Sequence, residues 1–87
     1  MMQYKNTKKN LTEFQSAVVE VYRQQLAKYL PGVDILDAFA TDGIIQVRLN
    51  DAAMRDFATG KRVVRLAIKV EDQFNVTLLP HVIPHEN

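Results

Sequence analysis

Phe14, Val18, Val21, Tyr22, Gln25, Leu26 and Tyr29 recur at three- and four-residue intervals, with Glu20, Arg23 and Gln24 on the opposite side. A period of 3.6 with one apolar stripe predicts a helix beginning at Thr12. Thr12 and Gln15 have the spacing of a capping box, in which each side chain serves the other residue's backbone N–H. Pro31-Gly32 ends the segment, because Pro cannot donate the next helical hydrogen bond and Gly turns the chain at little cost.

Beyond that stop the period changes to two. Val33 to Ala40 and Ile44 to Asn50 flank Asp42-Gly43, a dipeptide that tolerates the positive φ angles of a type I′ hairpin turn. With Thr41 opposite Ile44, one face pairs Ala40 with Ile45, Ala38 with Val47 and Leu36 with Leu49. The other face pairs Asp37 with Arg48, an opposite-charge cross-strand contact in the same register. Asn50 or Asp51 then caps a short helix over Ala52 to Ala58, with Ala53, Met54 and Phe57 as a thin apolar stripe and Gly60 as its terminating residue.

Lys61 to Val70 satisfies two periods at once. Val64, Leu66, Ile68 and Val70 alternate as in a strand, while Val63, Leu66, Ala67, Val70 and Phe74 align on a helix. A helix starting at Lys61-Arg62 and ending at Glu71-Asp72 would oppose its own dipole at both ends and hold several β-branched residues, so the strand is favoured. With Glu71 to Gln73 as a loop, Val70 faces Phe74, Ile68 faces Val76 and Leu66 faces Leu78. The predicted fold is therefore α+β, an antiparallel sheet of two hairpins with two helices on one face, in the order αββαββ.

Were 61–74 helical instead, the order would become αββααβ. That element order resembles KH-like and BolA-like domains in topology alone, since the GXXG loop of the first and the Arg-His-Arg string of the second are both missing. The twelve residues Ala52 to Val63 resemble the helix-to-hairpin junction of the lambda-type phage head-completion protein W family. They occupy a different place in the chain, and no function follows from them.

Composition narrows the function classes. The chain has 87 residues, 47% of them hydrophobic and 24% charged, a net charge of +1 and no cysteine. That excludes a disulfide scaffold, a cysteine metal site and a polyelectrolyte tail. One domain over residues 11–80 is expected, preceded by a flexible basic arm (1–10, with Lys5, Lys8 and Lys9) and followed by an extended tail (81–87). A core of this size is marginal for a monomer, which makes self-association a live option. No secretory pattern opens the chain and no apolar run is long enough for a membrane span, so a cytoplasmic protein without membrane contact is expected.

Catalytic chemistry finds little support. Ser16 is the one serine and sits inside the first helix. His81 and His85 have a helical metal-ligand spacing that Pro80 and Pro84 disrupt, and the three glycines are too far apart for a phosphate loop. The expectation is a protein that is not an enzyme, with no catalytic, cofactor or metal site. The helix-free sheet face is the remaining candidate, because it mixes Ile35, Phe39, Ile44 and Leu79 with charged residues. Those four residues are expected to form an interface with a second copy or another protein. The alternative is nucleic-acid binding through Arg48, Arg65, Lys69 and the basic arm.

Overall fold

The computed structural model describes residues 8–82, and side chains from residue 9 onward. In chain order the elements are β1 (Lys8–Lys9), α1 (Glu13–Tyr29), β2 (Ile35–Thr41), β3 (Ile44–Leu49), a 3₁₀ turn (Asp51–Met54), α2 (Phe57–Phe74) and β4 (Leu78–Val82). Strands β2, β3 and β4 make a three-stranded mixed sheet: β2 runs antiparallel to β3, and β4 runs parallel to it. The two-residue β1 extends the far edge beside β2. The protein is thus α+β with both helices packed on one face of the sheet, but the second antiparallel hairpin is absent.

That hairpin is replaced because α2 starts earlier and ends later than 61–70. Asp56 caps it, its carboxylate accepting from the Thr59 N–H at 2.8 Å. Lys61 and Arg62 therefore lie in the second turn, away from the end where the helix dipole would oppose them. The Asp56 carboxyl is held below its ordinary pKa, chiefly by the Thr59 backbone hydrogen bond. Asn75, in the left-handed conformation at φ 56°, closes the helix, and Gly60 lies within it rather than ending it. Val63, Leu66, Ala67 and Val70 become buried, and their burial outweighs a β-branched propensity cost of only a few tenths of a kcal/mol per residue. The chain from 52 to 63 is correspondingly a turn followed by helix, with no hairpin after it.

The first helix and first hairpin follow their sequence signals. Both halves of the Thr12/Gln15 capping box form, at 3.0 and 2.9 Å. Asp42 and Gly43 adopt φ of 51° and 81°, and the strand pairs Ala40 with Ile45, Ala38 with Val47 and Asp37 with Arg48. The register then slips at a bulge between Ile35 and Asp37, so that Ile35, not Leu36, lies opposite Leu49. Asn50 supplies the cause. Its side chain accepts from the Asp34 N–H at 3.1 Å and donates to the Gly32 carbonyl at 2.9 Å, fixing where β2 begins. Leu36 is the extra residue and stands 57% exposed.

A single core lies between the layers. Val18, Tyr22 and Leu26 of α1 meet Ile45, Val47 and Leu49 of β3, with Val63, Ala67 and Val70 of α2 and Leu78 of β4 in the same cluster. Phe14 and Phe74 close one end edge to face, with centroids 6.1 Å apart. The buried Tyr22 hydroxyl donates to the Val63 carbonyl at 3.0 Å, tying α1 to α2. Burial raises the Tyr22 pKa far above its ordinary value of 10.0. A raised folded pKa means stability that is complete below pH 10 and is lost as pH climbs above it, because only the unfolded chain then gains by ionising. Tyr22→Phe is expected to cost about 0.5–1.5 kcal/mol at neutral pH and to flatten the alkaline limb of a stability-versus-pH curve.

Both sheet edges reach into segments assigned to the arm and the tail. Lys8 and Lys9 pair with Thr41 and Ala40, while His81 and Val82 pair with Arg48 and Leu49. The backbone hydrogen-bonding groups of the sheet edge give these residues partners that apolar periodicity does not reveal. Residues 1–7 and 83–87, with Lys5 and His85 among them, lie outside the described residues.

Candidate association surface

On the helix-free face of the sheet, cross-strand pairing arranges side chains in rows. Phe39, Gln46 and Leu79 form one row; Asp37, Arg48 and His81 form the next. Arg48 holds both carboxylate oxygens of Asp37, at 2.7 and 2.9 Å, and this hydrogen-bonded partner raises the guanidinium pKa. His81 hydrogen-bonds Gln46 across the parallel pair. Phe39 and Ile44 are half-buried by their neighbours, while Leu79 is 40% exposed. Of the four expected interface residues, Phe39, Ile44 and Leu79 share this face. Ile35 does not: the bulge turns it to the core side, where it packs against the buried cluster.

The three cations expected to act together are also separated. Arg48 stays on the sheet face, engaged by Asp37, while Arg65 and Lys69 project from α2 because that segment is helical. There they meet other cations. Arg62, Arg65 and Lys69 line a cleft of about 450 Å³ with Tyr29, whose ring lies 5.2 Å from the Lys28 ammonium. Arg62 also donates to the Tyr29 carbonyl at 3.4 Å, satisfying an orphan acceptor at the end of α1.

The most exposed apolar surface lies on the outer side of α2. Phe57 is 81% exposed, Met54 65%, Val64 49% and Ile68 48%. Together with Lys61 and Arg65 they line a shallow groove of about 650 Å³. Phe57, Lys61, Val64 and Ile68 are spaced four, three and four residues apart, the interval at which a helix presents a seam to another helix. Lys61 leans over the Phe57 ring at 5.4 Å. A strand over 61–70 hides this seam, because its alternation puts Val64 and Ile68 on the same face as Leu66 and Val70; their helical spacing from Phe57 is the signal in the sequence that reveals it.

Among the described residues no three His, Cys, Asp or Glu side chains gather as a metal site, and no helix is long and apolar enough to cross a membrane. Compared with protein-family models, curated proteins and solved structures, the chain matches none.

Proposed function

We propose that this chain is a non-catalytic association domain that docks through the outer seam of α2. The observation that supports the reading is the contiguous exposure of Met54, Phe57, Val64 and Ile68. Single exposed apolar residues are ordinary, but three on one side of α2 with Met54 of the preceding 3₁₀ turn beside them, rimmed by Lys61 and Arg65, have the makeup of an interface with a polar rim. The sheet face is the weaker candidate, since its apolar side chains are mostly half-buried and its charges already paired.

Replacing Phe57 and Ile68 with Ser together is expected to abolish association while leaving the melting temperature almost unchanged, because neither side chain fills the core. Phe39→Ser with Ile44→Ser is expected to leave association intact. Sedimentation over a wide concentration range distinguishes the two surfaces. Association lost in the second variant and retained in the first would return the interface to the sheet.

Nucleic-acid binding is the second reading, favoured by the clustering of Lys28, Arg62, Arg65 and Lys69 around the Tyr29 ring, a cationic surface with a stacking platform. Arg48 has no part in it, and a net charge of +1 gives a small electrostatic footprint. Titration with a single-stranded oligonucleotide at several salt concentrations tests it: Arg65→Ala with Lys69→Ala should reduce the salt slope by about two.

A further inference from the structure

We propose that the cleft between the end of α1 and the α2 helix binds a phosphate ester carried on a flat ring, the chemistry of a nucleotide, either free or as one unit of a strand. This rests on the nucleic-acid reading above and narrows it to a defined site. It requires nothing of the apolar seam.

Two kinds of surface meet in the cleft. The Tyr29 ring, Leu66 and Ile68 supply the apolar part, and Arg62, Arg65 and Lys69 the charged part. These three cations follow one another at intervals of three and four residues, so they stand along one strip of α2. Arg62 is already placed. Its bond to the Tyr29 carbonyl holds the guanidinium at the end of α1 and offsets the partial negative charge there, with further N–H donors left over. Lys28 adds a fourth cation 5.2 Å from the centre of the Tyr29 ring. The volume, about 450 Å³, falls within the range of about 300–1,000 Å³ usual for small-molecule sites.

The acids of both helices do not neutralise this cluster. Glu13 stands in the first turn of α1, at the Phe14–Phe74 end of the helix pair, opposite to the cleft. Glu20 is held by Arg23 at 3.1 Å. The Asp56 carboxylate caps α2, and that of Glu71 accepts from the Leu78 N–H at 2.7 Å. Asp72 lies one turn beyond Lys69 and makes no ion pair among the described residues, and neither does any of the four cations. No carboxylate among the described residues lines the cleft. An inorganic anion would leave Tyr29, Leu66 and Ile68 unused, and an uncharged ring would leave four like charges uncompensated. A ring that bears a phosphate answers both.

Calorimetric titration of the full chain at fixed ionic strength tests this with adenosine 5′-monophosphate as the probe. Adenosine and inorganic phosphate are each expected to bind at least about tenfold more weakly. Arg65→Ala with Lys69→Ala should weaken the nucleotide by about tenfold or more, whereas Lys61→Ala, outside the cleft, should leave it unchanged. Tyr29→Leu should weaken the nucleotide to a similar extent and leave inorganic phosphate as it was, which separates the ring contact from the charge. All four side chains are exposed, so these variants should fold as the parent does. Inorganic phosphate or an oligo-glutamate peptide that matches the nucleotide in affinity would show a cationic surface without a ring site and overturn the proposal. A single-stranded oligonucleotide supplies the second arm. If it displaces the nucleotide, the ligand unit is also taken from a strand, which supports both readings. Nucleotide binding without oligonucleotide binding supports the site and overturns the nucleic-acid reading. Oligonucleotide binding with no binding of the mononucleotide at millimolar concentration overturns the site and leaves that reading standing.

Discussion

Ala67→Glu is expected to unfold the domain. Ala67 is 2% exposed and lies between Val63 and Val70 on the buried side of α2. A glutamate there must either carry its charge into an apolar layer or force the helix off the sheet, and either costs several kcal/mol. Small domains have about 5–15 kcal/mol in all, so little folded population would remain. Ile68→Glu, one residue on, falls on the outer side and is expected to leave the fold intact. The pair of variants is diagnostic, because a strand over 61–70 would reverse their effects. Circular dichroism with urea unfolding reads the difference. A cooperative transition of parental stability in Ala67→Glu, with collapse of Ile68→Glu, would reject the helical assignment.

Ending the chain at Thr77 is expected to be nearly as damaging. That truncation removes β4, and with it Leu78, which is 1% exposed and sits in the core beside β3. Losing a buried leucine to a cavity costs about 2–5 kcal/mol by itself. The truncation also strips β3 of its parallel neighbour from Ile45 to Leu49, leaving Val47 and Leu49 at a bare edge. The Leu78 N–H would no longer donate to the Glu71 carboxylate, a 2.7 Å bond that fixes the approach of the strand to the end of α2. A chain ending at Val82 keeps the whole of β4 and is expected to melt as the parent does. Comparing the two truncations by thermal unfolding locates the end of the folding unit. Equal melting temperatures would mean that β4 contributes nothing to the fold.

What the sequence by itself determined here is local. The Thr12/Gln15 box, the Asp42-Gly43 turn and the pairings of Ala40 with Ile45 and Asp37 with Arg48 each depend on residues close in the chain, whose geometry allows few alternatives. Tertiary structure decided the remainder. The 61–70 segment is compatible with both periods, and a helix prevails because the surface awaiting it, with the Tyr22 hydroxyl at the Val63 carbonyl and Phe14 against Phe74, rewards burial of one helical stripe. The single extra residue at Leu36 follows from Asn50 reaching back to Gly32 and Asp34, sixteen or more positions away, and no strand pattern contains that information. Parallel pairing of β4 with β3 needs α2 already in place as the crossover. The candidate interface inherits the same dependence: Val64 and Ile68 are as apolar as the residues beside them. Only the packing of Val63, Leu66, Ala67 and Val70 inward leaves them outside, since one helix can bury only one side against a sheet.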